Sequence, residues 1–108
     1  MQTVIETYEF IKQAKGLLTR DEIEELISYL AESPDAGDVI QGTGGFRKLR
    51  FKRSGTGKSG GVRVIYFFFN EGMPVSLISV YAKSKSDNIT DKQRNALYAI
   101  AQEIKKGG

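Results

Sequence analysis

Apolar positions along this chain follow two periods, close to 3.6 residues near its ends and close to 2 in its middle. Residues 2–5 (Gln-Thr-Val-Ile) predict a short first strand. From Tyr8 to about Leu17, the residues Phe10, Ile11, Ala14 and Leu17/Leu18 recur at helical spacing. Thr19-Arg20-Asp21-Glu22 reads as a capping box, in which the threonine hydroxyl and the glutamate carboxylate satisfy free amides at a helix start. Ile23, Leu26, Ile27 and Leu30 then form one apolar stripe, and Ser33-Pro34 ends the helix because the residue before a proline avoids the α region.

Residues 35–45 are expected to form a loop containing the glycine cluster Gly42-Thr43-Gly44-Gly45. Beyond it the period changes to two. Leu49 and Phe51 fall on one face of a strand, and Lys48, Arg50 and Lys52 on the other. A glycine-rich loop spans 54–61. Residues 62–69 are apolar on both faces except for Arg63, the mark of a central strand covered on both sides. On this reading Tyr66-Phe67-Phe68-Phe69 is core rather than a platform for stacking bases. Glu71-Gly72-Met73-Pro74 turns the chain into a further strand over 75–81, and these hairpin-length connections imply antiparallel pairing. Thr90-Asp91-Lys92-Gln93 is a second capping box, followed by the stripe Leu97, Ile100, Ala101 and Ile104. The expected fold is α+β in the order β-α-α-β-β-β-α, with a twisted antiparallel-rich sheet packed against two N-terminal helices and one C-terminal helix.

Composition narrows the chemistry. At 108 residues the chain is expected to be one domain, 1–108, with a single core. It has no cysteine and no histidine. Disulfides, thiolate metal sites and the usual neutral-pH general base are therefore excluded. No apolar run approaches the ~20 residues of a membrane span, and the N-terminus lacks the layout of a signal peptide, so the default expectation is a cytoplasmic protein without membrane association. Gly57-Lys58-Ser59 is not a nucleotide-binding P-loop, because position 52 is lysine where that motif needs glycine and a strand follows where it needs a helix.

The net charge of +3 conceals a strong asymmetry. Residues 1–38 carry nine acidic and three basic side chains, a net of −6. Residues 39–70 carry seven basic side chains and no acidic one. That middle segment suits a polyanion. Carboxylates do not gather around it, which argues against a metal-dependent nuclease. What it offers is cations: Lys48 and Arg50 on one strand, Arg63 at the start of the next, and Lys83 at the end of the last.

Such a group suffices for scission of RNA. Crowded lysines depress one another's pKa, so one of them can serve as a base near neutrality. Arginine clamps a phosphate bidentately and stabilises its added charge. Lys48 is the candidate base, Arg63 the candidate clamp, and Lys83 the acid or a second clamp. Arg47, Lys52, Arg53, Lys58 and Lys85 extend the basic surface for an RNA backbone, and Tyr81 is placed to stack on a base. No cofactor and no metal are expected.

Three stretches carry a family resemblance. Gly37-Asp38-Val39-Ile40-Gln41-Gly42-Thr43-Gly44-Gly45-Phe46-Arg47-Lys48-Leu49-Arg50 resembles the segment leading into the second strand of HigB-type toxins. Gly57-Lys58-Ser59-Gly60-Gly61-Val62-Arg63-Val64-Ile65-Tyr66 resembles their next loop and strand, and Val80-Tyr81-Ala82-Lys83-Ser84-Lys85 their Tyr-x-Lys strand end. The resemblance implies the RelE/ParE superfamily fold and a ribosome-dependent endoribonuclease that cuts mRNA and inhibits translation. It also implies a cognate antitoxin, of the helix-turn-helix HigA-like kind, through which alone the toxin would meet operator DNA. The family's catalytic cations carry over onto Lys48, Arg50, Arg63 and Lys83. One departure is that Ser86-Asp87-Asn88-Ile89 lacks the tyrosine RelE carries in its C-terminal region. Two other readings share the sequence: a ParE-like poison of DNA gyrase on the same fold, and a non-catalytic RNA-binding module.

Overall fold

The computed structural model describes residues 1–52, 61–82 and 89–107. Among these the chain runs through β1 (Val4–Glu6), α1 (Tyr8–Ala14), α2 (Arg20–Glu32), β2 (Asp38–Val39), β3 (Phe46–Phe51), β4 (Val62–Phe67), β5 (Val75–Ala82) and α3 (Asp91–Gly107). The strands form one sheet in the order β1-β5-β4-β3-β2. The consecutive pairs from β2 to β5 are antiparallel, and β1 returns to lie parallel to β5.

Threonines start the helices. Thr7 Oγ1 accepts the amide of Phe10, and Thr19 and Glu22 form a complete capping box with bonds of 3.1 and 2.8 Å. Thr90 and Gln93 exchange the same pair of bonds ahead of α3. The helix expected to reach Leu17 stops at Ala14, where Gly16 takes a positive φ of 83° and the amides of Leu17 and Leu18 both bond to the Ala14 carbonyl.

The loop expected over 35–45 contains β2, whose two residues pair with Arg47 and Lys48. No alternation announces so short an edge strand. Its approach is fixed instead by Tyr66, a buried ring whose hydroxyl donates to the Pro34 carbonyl and accepts from the Gly37 amide, both at 2.8 Å. Burial pushes the Tyr66 hydroxyl above its ordinary pKa, with the Gly37 hydrogen bond opposing.

Both faces of the sheet are covered. Leu49, Val62, Val64, Tyr66, Val75, Leu77 and Val80 pack against Phe10, Leu26 and Leu30 of α1 and α2. On the opposite face Phe46, Ile65 and Phe67 meet Ala101 of α3, with Leu97 and Ile104 beside them. Three apolar positions depart from expectation: Ile11 and Ile100 of the helices face solvent, and Phe69, expected in the central strand but beyond the end of β4, is about half exposed. The Phe69 ring is covered instead by the Lys105 ammonium, 4.2 Å from its centroid.

One irregularity has consequences for the site. Ile65 pairs with Ser79, but Tyr66 pairs with Leu77, so Ile78 is an extra residue on β5. Leu77 and Val80 consequently share one core although they lie an odd number of residues apart. A bulge of this kind transfers every following side chain to the other face. Gln13 of α1 secures it, its Oε1 accepting the Ser79 hydroxyl and the Val80 amide at 2.9 Å each.

Candidate active site

Beyond the bulge Tyr81 stands opposite Arg63, and Arg63 stands opposite Arg50. Arg50, Arg63 and Tyr81 thus form an in-register row across β3, β4 and β5, with neighbours about 5 Å apart at the backbone. Lys48 lies one step along the same face of β3, between Asp38 of β2 and Ile65 of β4. Arg50 is exposed, Lys48 and Tyr81 are half-buried, and Arg63 is 2% exposed. Two arginines directly opposite each other repel. The buried one, Arg63, is the member of the row kept from water.

The sequence-selected residues divide into four groups. The sheet brings Lys48, Arg50, Arg63 and Tyr81 to one face. Lys52 follows β3 as an exposed residue. Arg47 points to the other face, where its Nη1 donates to the carbonyls of Gly37 (2.8 Å) and Asp35 (3.1 Å) and so ties down the approach to β2. Arg53, Lys58, Lys83 and Lys85 lie outside the described residues, as does the segment Ser86-Asp87-Asn88.

The neighbourhood also holds a residue that sequence reasoning passed over. Arg94, in the first turn of α3, donates from Nη1 to the Gln41 carbonyl, and its Cδ sits 3.1 Å from where a side chain on Gly42 would begin. The signal was present: Arg94 occupies the same helical stripe as Leu97, Ala101 and Ile104, an unusual place for a charge. Its contacts fix the glycine cluster beneath α3. There Thr43, fully buried, donates to the Ile40 carbonyl and accepts the Phe46 amide.

A strand row of cations with an aromatic neighbour can bind a phosphodiester and place a base against a ring. The model of the family described as the RelE toxin of the RelE/RelB toxin–antitoxin system matches residues 2–107. Among solved structures, the chain is similar in fold to a double arginine-to-alanine mutant of the E. coli toxin RelE in the free state. The TM-score is 0.58 at 20% identity, covering 95% of this chain and 96% of that one. With the family model matching almost the whole chain, this protein belongs to the RelE toxin family.

Proposed function

We propose that this chain is a ribosome-dependent endoribonuclease that cuts mRNA, inhibits translation and is neutralised by a cognate antitoxin. The observation that carries the reading is the in-register row Arg50–Arg63–Tyr81 with Lys48 on the same face. Family membership supports it, since the family is one of toxins.

The chemistry is metal-independent transesterification. Lys48 takes the proton of the ribose 2′-OH, and the 2′-oxygen attacks the adjacent phosphorus. Arg63 and Arg50 hold the non-bridging oxygens as the phosphorane gathers charge. The bond from phosphorus to the 5′-oxygen breaks, and that oxygen takes a proton from Lys83 or from a ribosomal group. The products are a 2′,3′-cyclic phosphate and a 5′-hydroxyl. Tyr81, beside Arg63, stacks on a flanking base. Lys52, Arg53, Lys58 and Lys85 bind the backbone. The antitoxin, of the helix-turn-helix kind, would carry all contact with operator DNA.

Induction in a bacterial host with mapping of mRNA 5′ ends tests the reading. Growth arrest with new ends inside translated frames, abolished by Arg63→Ala, is the expected result. Arrest without new ends would move the account to a gyrase poison. Salt-sensitive RNA binding without arrest or cutting would reduce it to a binding module.

A further inference from the structure

Beside the cation row lies a feature of which the cutting chemistry uses Lys48 alone. A cleft of ≈ 300 Å³ opens between β2, β3 and the start of α3. Asp38, Gln41, Lys48 and Arg94 form its polar lining, and Val39 and Ile89 its apolar walls. Lys48 belongs to both features. It pairs with Asp38 across the sheet and precedes Arg50 by two residues, about 7 Å, on the same face of β3. A phosphate held by Arg50 and Arg63 therefore leaves an adjoining nucleobase within reach of the cleft.

The lining is selective. Asp38 is exposed to the cleft, and a carboxylate only accepts hydrogen bonds. Arg94 is held by the Gln41 carbonyl, and its stem lies where a side chain on Gly42 would otherwise begin, so it forms a wall of the cleft. Adenine, cytosine and guanine each carry an exocyclic amine that donates along the pairing edge, whereas the one donor of uracil there, N3–H, lies between two carbonyl oxygens that repel a carboxylate. Single-stranded RNA is read along that edge once its bases are unstacked. We propose that this cleft holds one of the two nucleobases flanking the scissile phosphate, and that Asp38 selects an amine-bearing base over uracil. The proposal rests on the endoribonuclease reading above.

The test compares cuts made by the wild-type chain and by Asp38→Asn in one randomised mRNA pool on ribosomes. Asparagine keeps the size of the side chain but turns one acceptor into a donor that can meet a uracil oxygen. Wild-type cuts should under-represent uracil at one flanking position by roughly five- to tenfold. In Asp38→Asn, and in Asp38→Ala, that bias should fall to within about twofold on the scale of one lost polar contact. The readout is a ratio among cuts, so a change in total cutting does not affect it, and thermal melting confirms that each variant is folded. Equal base shares in wild type and variants would overturn the cleft while leaving the nuclease reading intact. A wild-type chain that makes no cuts overturns both.

Discussion

Arg63 and Tyr81 stand directly opposite each other on β4 and β5 because the chain inserts Ile78 between them and the regular part of the ladder. Without that residue, strict alternation would place Tyr81 with Leu77 and Val75 in the core facing α1 and α2. The bulge therefore decides which face receives the aromatic ring.

Gln13 is the residue that holds this arrangement from outside the strand. Gln13→Ala removes the acceptor of both the Ser79 hydroxyl and the Val80 amide. The expected cost is about 1 kcal/mol, the scale of a partly buried hydrogen-bond pair lost. Urea titration of the variant against wild type measures it, and an unchanged midpoint would remove Gln13 from the account.

Arg63 should separate function from stability. Its side chain is almost fully buried, opposite Arg50 of β3. Arg63→Met should remain folded, yet lose about 10²–10³ in cutting rate, the scale of one removed transition-state contact. A variant that unfolds would show the guanidinium to be structural.

The row of cations was legible in the sequence because period-two alternation assigns Lys48 and Arg50 to one face, and Arg63 interrupts an otherwise apolar strand. Capping signals likewise located the helix starts at Thr19 and Thr90. What stayed hidden depends on tertiary pairing. β2 exists because Asp38 and Val39 find partners on β3, and the bulge at Ile78 has no local signature in Val-Ser-Leu-Ile-Ser-Val. Arg47 looked like one more member of a basic run, but its parity with Leu49 and the carbonyls near Gly37 turn it to the other face.

Gly45 leads into β3 at a φ of 142°, and an added Cβ would lie 2.7 Å from the Phe67 ring. Phe67 is fully buried and packs edge-on against Phe46 at 5.2 Å, so the ring has little freedom to yield. Gly45→Ala should cost about 2 kcal/mol or more from strain and overpacking combined. A calorimetric melt lowered by less than about 4 °C would contradict this, because ~1 kcal/mol already shifts a domain of this size by that amount.

Tyr66 predicts an alkaline limit to stability. Its folded-state pKa lies above the ordinary 10.0, so the folded chain keeps the phenol proton more tightly than the unfolded one. That contribution is complete below pH 10 and is lost as pH rises through the folded value. Tyr66→Phe should be less stable than wild type near neutrality, having lost two hydrogen bonds, and should show a weaker decline above pH 10. Parallel declines in both proteins would assign the alkaline limit to other groups.

The central claim is that a face of cations cuts RNA through its own 2′-hydroxyl, and the ends of the fragments test it most directly. Purified chain is incubated with ribosomes carrying a defined mRNA, and the 5′ ends are assayed for direct labelling by a polynucleotide kinase. The expected fragments carry free 5′-hydroxyls that label without prior phosphatase, and they are formed by the wild type and not by Arg63→Met. Fragments bearing 5′-phosphates, or cutting that survives in the variant, would contradict it.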